Sequence, residues 1–189
     1  AHEHGHGPVV LLGHSQGGLI VTKALISGPL AVRGVVLTNP ALETKAAVPQ
    51  WKKTAAKLFS RVLPGFGLPT GLPASAISRD PASVRAYEDD PLIFSDATAR
   101  WGWEFMEAQR EAKASTLRVE VPLLVQLGTA DGVIDSEFSR TWFANAQGDD
   151  LTVTSWPGFY HELYNEPADE RAKVLDELVT WLTERVPAA

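Results

Sequence analysis

The sequence contains no cysteine, which excludes disulfides, thiolate metal sites and a cysteine nucleophile. It has no excess of positive charge: 17 Lys and Arg stand against 23 Asp and Glu, a formal net charge of −6. No basic face is offered to nucleic acid, and none is expected as a partner. No apolar run approaches the ~20 residues of a membrane-spanning helix. Ala1 to His6 carry no apolar leader region. The expected location is cytoplasmic, with any targeting signal lying upstream of Ala1. His2, His4 and His6 alternate, but no carboxylate or cysteine pattern accompanies them, so they read as a solvated loop. No metal and no cofactor are expected.

What is present is an α/β pattern. Val9-Val10-Leu11-Leu12 is a short continuous apolar run, the mark of a strand buried on both faces of a parallel sheet. A helical stretch follows from Gln16 to about Ile26 and stops at Gly28-Pro29. Further strands are predicted over Ala31–Thr38, Val121–Leu127 and Leu151–Ser155. A last helix runs over Ala168–Arg185, with Val174, Leu175, Leu178 and Leu182 on one stripe and Trp181 beside it. Strands separated by helical segments predict a parallel sheet with helices on its faces. Between the second and third strands lies an excursion rich in Ala, Pro and Gly. It carries helical pieces around Trp51–Val62, Ala82–Glu88 and Asp96–Ala114. A parallel crossover needs only a dozen or so residues, so residues 43–118 are expected to be an inserted helical cap. Residues 1–42 and 119–189 then make the α/β core.

Gly13-His14-Ser15-Gln16-Gly17 fits G-x-S-x-G between a buried strand and a helix, the context of a nucleophile elbow. The sharp turn leaves Ser15 at its apex, and side chains at Gly13 and Gly17 are expected to collide. The first helical amide, on Gln16, would face a forming oxyanion. A nucleophilic serine needs a base, and the base needs an orienting carboxylate. Gly128-Thr129-Ala130-Asp131-Gly132 follows the third strand, and Gly158-Phe159-Tyr160-His161-Glu162 follows the fourth. Both lie at the strand ends where Ser15 lies, in the order Ser, Asp, His. Asp135 competes with Asp131, but it precedes Ser136-Glu137-Phe138 and reads as a helix N-cap. Glu162 is expected to bond locally. His14 is expected to turn its ring away from Ser15 and serve packing. Asn39-Pro40 closes the second strand without a carboxylate. His161, the one histidine beyond position 14, is the sole candidate base.

Leu11-Leu12-Gly13-His14-Ser15-Gln16-Gly17-Gly18, Pro122-Leu123-Leu124-Val125 with Gly128 and Asp131, and Tyr160-His161-Glu162-Leu163-Tyr164-Asn165-Glu166 carry a family resemblance. So does Asp90-Pro91-Leu92 in the insertion. Together they resemble the monoacylglycerol lipase and lysophospholipase branch of the α/β hydrolases, a serine-aminopeptidase-like family. The elbow is shared by many hydrolases, and the His-Glu-Leu-Tyr-Asn-Glu run is more specific. The resemblance implies the α/β-hydrolase fold, a helical cap over the site, and metal-independent hydrolysis of single-chain esters by a Ser15-His161-Asp131 triad. It also implies four strands before the nucleophile strand, with a His-Gly loop supplying a second oxyanion amide. His4-Gly5 and His6-Gly7 lead straight into the nucleophile strand and do not replace that loop. The expectation is therefore the C-terminal part of a longer protein. Its nucleophile strand would be an exposed edge able to pair with another chain.

In the insertion, Trp101, Trp103, Phe105 and Met106 cluster on one helical piece. They read either as the cap's own core or as an apolar wall for an acyl chain, with Trp101, Trp103 and Met106 as candidate substrate contacts. The expected partner is a small-molecule ester or lipid, with peripheral membrane contact through the cap. The leaving group is not written in these motifs. An amidase, a peptidase, an acyltransferase or a catalytically incompetent interaction module fits the same residues.

Overall fold

The computed structural model describes residues 9–46 and 48–185. His2, His4, His6 and the His-Gly pairs among them lie outside the described residues. Four strands form one parallel sheet: β1 (Val10–His14), β2 (Gly34–Thr38), β5 (Leu123–Gly128) and β6 (Leu151–Trp156), in the order β1-β2-β5-β6. The register sets Val10 beside Gly34, Val35 beside Leu123, and Leu123 beside Leu151. β2 and β5 are buried at every position, as continuous apolar strands of a parallel sheet should be.

Helices cover both faces. Val35, Leu37, Leu123, Val125 and Leu127 pack with Leu19 and Leu25 of α1 (Gln16–Ser27) and with Phe143 of α5 (Ser136–Ala144). Val36 and Leu124 face the other way, against Trp181 of α6 (Ala168–Arg185). Trp181, placed beside the stripe by the sequence pattern, is its centre: it is 3% exposed, whereas Leu175 is 36% exposed. The cause is Gly34. An added Cβ there would lie 2.9 Å from the Trp181 ring, so the missing side chain makes room for the indole. Burying such a side chain contributes about 2–3 kcal/mol.

The segment between β2 and β5 holds α2 (Gln50–Val62), β3 (Gly67–Pro69), α3 (Pro81–Asp89), β4 (Asp96–Thr98) and α4 (Ala99–Ala114). One expectation is corrected here. The sequence pattern begins the last helical piece at Asp96, but residues 96–98 are extended and pair antiparallel with Gly67–Pro69. Thr98 is the reason. Its side chain accepts from the Trp101 amide at 3.2 Å, so it caps α4 and keeps the preceding residues out of the helix. Asp80 caps α3 in the same way, through the Ala82 amide, with Pro81 at the first helical position. α4 returns to the sheet and lies against α1, with Phe105 packed on the main core and Ala112 fully buried. β1 pairs with β2 alone among the described residues, and Leu12 on it is 50% exposed.

Candidate active site

All four sheet strands run parallel, so their C-terminal ends share one edge. Ser15 follows β1, Asn39 follows β2, Asp131 follows β5 and His161 follows β6. Ser15 has φ 50° and ψ −118°, a left-handed backbone that a serine adopts only under constraint, at about 1–3 kcal/mol. The constraint is visible. The Ser15 amide donates to Thr38 O at 3.0 Å, while Ser15 O accepts from Leu19 and Ala41 amides at 3.1 and 2.9 Å.

The elbow's glycines differ from expectation in one respect. A Cβ on Gly13 would sit 2.7 Å from Gly17 O, so Gly13 is sterically required. A Cβ on Gly17 meets nothing within 4 Å, whereas one on Gly18 would sit 2.7 Å from the Pro40 side chain. The close approach falls at Gly18 because α1 leaves the elbow against the loop after β2.

The histidine bridges the other two. His161 Nδ1 lies 2.7 Å from Asp131 Oδ2, and His161 Nε2 lies 2.9 Å from Ser15 Oγ. A carboxylate only accepts, so Nδ1 carries the hydrogen and Nε2 presents its lone pair to the serine hydroxyl. Asp131 is fully buried, and its other oxygen accepts from the Val133 and Ile134 amides at 2.7 and 3.0 Å. Three donors satisfy the buried carboxylate and hold it in one orientation. Asp135 is elsewhere engaged: it caps α5 through the Phe138 amide at 2.9 Å. Glu162 accepts from Asn165 Nδ2 at 2.7 Å.

Trp101, Trp103 and Met106 lie on α4 and take no part in these hydrogen bonds. Trp101 stacks on Phe105 with centroids 5.1 Å apart, and Lys57 of α2 lies 5.4 Å from the Trp103 ring. Met106 is partly buried.

Four features of the site escape a reading of the sequence. His14 does more than pack: its ring lies 4.8 Å from that of His161, and its Nδ1 lies 2.9 Å from Thr38 Oγ1. Burial, then the neighbouring His161, lower its pKa to about 4. Asn39, fully buried, donates from Nδ2 to the carbonyls of Tyr160 and His161 at 3.1 and 2.6 Å, and accepts from the Gly128 amide at 2.8 Å. It joins the end of β5, which leads to Asp131, to the loop that carries His161. Gln109 of α4 donates to Ala41 O at 2.9 Å, next to the elbow. Glu166, also fully buried, holds the Tyr160 amide at 2.5 Å and the Arg79 side chain at 3.0 Å. The available signals were Asn39 standing at a strand end on the active edge, and Glu166 closing the family-like run. Neither names a partner.

Comparison with known proteins agrees with this architecture. Residues 1–168 match the family described as serine aminopeptidase, S33. The chain is 32% identical to a monoglyceride lipase of Rattus norvegicus over 184 residues, covering 96% of this chain and 60% of that protein. It is 33% identical to a monoacylglycerol lipase of Mycolicibacterium smegmatis over 188 residues, covering 96% of this chain and 64% of that one. The chain thus spans about three fifths of the length of these curated relatives. The crystal structure of Paleococcus ferrophilus monoacylglycerol lipase superposes with a TM-score of 0.83 at 31% identity, covering 95% of this chain and 71% of that chain. Sheet order, elbow and sequence match converge on one conclusion: the chain belongs to the serine aminopeptidase S33 family and has the α/β-hydrolase fold.

Proposed function

We propose that this chain carries the catalytic triad of a serine hydrolase that cleaves carboxylic esters of the monoacylglycerol or lysophospholipid type. The observation that carries the reading is the unbroken hydrogen-bonded line from Ser15 Oγ through His161 to Asp131. Its chemistry follows from the geometry. His161 Nε2 takes the Ser15 proton as Oγ attacks the ester carbonyl carbon. The carbonyl oxygen becomes an oxyanion, for which we assign the Gln16 amide as donor, and Asp131 stabilises the imidazolium. Collapse returns that proton to the departing alcohol and leaves Ser15 acylated. Water then attacks the acyl carbon, giving its proton to Nε2, and release of the acid restores the Ser15 hydroxyl.

The lipid substrate class is supported by the names of the similar proteins and by the apolar insertion. We assign residues 43–118 as a cap over the site, with Trp101, Trp103 and Met106 toward the acyl chain. Exposed Trp51, Leu58, Val62, Leu63, Leu92 and Phe94 suit contact with a lipid surface. No helix among the described residues is long and apolar enough to cross a membrane. Among the described residues β1 pairs with β2 alone, and its other side suits a further strand.

The test is turnover of a panel of monoacylglycerols, lysophospholipids and matched amides by the intact protein and by Ser15→Ala. Ester cleavage that disappears in Ser15→Ala supports the reading. Amide cleavage of equal rate points to a peptidase or amidase instead.

A further inference from the structure

We propose that Arg79 and Glu166 are positioning residues for His161, clamping the loop that carries the base to residues 77–79 in the middle of the inserted segment. The inference rests on the reading of His161 as general base. Within residues 159–166, the hydrogen bonds to residues 77–79 fall after His161, and a ring contact to Phe159 falls before it. The Ile77 carbonyl accepts from the Glu162 amide at 2.7 Å, and Ser78 Oγ donates to Asn165 O at 2.7 Å. Glu166 Oε2 accepts from Arg79 Nε at 3.0 Å and from the Arg79 amide at 3.2 Å. Its other oxygen, Oε1, takes the amide of Tyr160, the residue directly before His161, at 2.5 Å. The Arg79 guanidinium lies 4.9 Å from the Phe159 ring and also pairs with Glu170 in the first turn of α6.

A carboxylate removed from water is expensive and, for stability alone, is replaceable by an apolar pair. Here each carboxylate oxygen has a separate task. One holds the backbone beside the base, and the other holds the fork of an arginine that reaches α6 at the same time. Only a planar guanidinium makes both contacts with the ring behind it, so lysine is not an equivalent. The consequence is a rigid path from the insertion to the imidazole, whose two nitrogens must stay at 2.7 and 2.9 Å from their partners. A displacement of about 1 Å at such a base costs on the order of a hundredfold in rate.

The experiment uses the intact protein with Arg79→Lys, Arg79→Met and Glu166→Gln, and Arg140→Met as an exposed ion-pair control on α5. Folding is read by near-ultraviolet circular dichroism, and the second-order rate of Ser15 labelling by a fluorophosphonate is read across pH. The low-field proton resonance of His161 Nδ1–H is recorded on the same samples. Arg79→Met and Glu166→Gln are expected to label about tenfold more slowly or worse per folded molecule, with a shifted or broadened Nδ1–H resonance. Arg79→Lys is expected to recover little of this, and Arg140→Met is expected to match the parent. Arg79 is partly exposed, so its variants carry the test if Glu166→Gln fails to fold. Folded Arg79→Met that labels at the parental rate with an unchanged resonance overturns the clamp. A parent protein that does not label at all overturns the triad reading beneath it, which is a different result.

Discussion

The active edge of the sheet and the inserted segment obey opposite rules of burial. At the edge, polar groups are buried and each has its partner: Asp131, Asn39 and Glu166 are fully inaccessible and all hydrogen-bonded. In the insertion, Ile77 and Leu117 are buried, but other large apolar groups stay outside, with Leu92 and Phe94 79% and 80% exposed and Trp51 68% exposed. Buried polar networks hold one geometry because any loosening strands a donor or acceptor. Exposed apolar surface holds no geometry and invites a ligand or an interface. The edge is thus built for position, and the insertion for contact. Gln109, Arg79 and their neighbours join the two at a few points.

That contrast can be broken at its rigid end. Asn39→Ala strips the partner from the Gly128 amide and from the Tyr160 and His161 carbonyls at once. The expected loss is about 4 kcal/mol in denaturant unfolding, with Ser15 labelling slowed in whatever remains folded. A loss below about 1 kcal/mol would show that water or neighbouring groups replace the asparagine readily.

His14 sharpens the contrast through pH. Its pKa is ordinarily 6.5 and lies at about 4 in the fold, with His161 and Asp131 as the titratable groups facing it. Above pH 6.5 neither folded nor unfolded chain binds this proton. Between 6.5 and 4 the unfolded chain takes it and the native chain does not, so stability falls as pH falls and levels off below 4. The loss amounts to roughly 3 kcal/mol at full extent. Denaturant midpoints of His14→Gln, measured against pH, are expected to lack that portion of the decline. Identical pH profiles for parent and variant would remove His14 from the account.

The smallest effect on stability is expected in the insertion. Leu92→Ser combined with Phe94→Ser should change unfolding free energy by about 0.5 kcal/mol or less, while weakening sedimentation with phosphatidylcholine vesicles. A several-kcal/mol loss with unaltered vesicle binding would mean that these side chains pack against protein.

Much of the scaffold was legible because periodicity and breakers are local signals. The four strands, α1 and α6 lie within a few residues of where apolar runs and Gly or Pro place them. Asp135 caps α5 and Asp131 lies beside His161, because a residue before a helix and one in a loop occupy different local patterns. What stayed hidden depends on residues far apart in the chain. Nothing near Asn39 announces a partner 121 residues away, and nothing near Arg79 announces Glu166. The β3–β4 pair carries no strand signal because Pro and Gly there read as breakers, although an exposed two-stranded ribbon tolerates both. The burial of Trp181 is not written in its own helix, because the space it fills is made by Gly34 on another element.

The central claim is that Ser15 is activated by His161, and covalent labelling tests it most directly. The intact protein is exposed to a fluorophosphonate probe and weighed by mass spectrometry, beside Ser15→Ala and His161→Ala. The account predicts one probe adduct per molecule in the parent and none in either variant over the same interval. A folded parent that takes up no probe, or a His161→Ala variant that labels as fast as the parent, would contradict it.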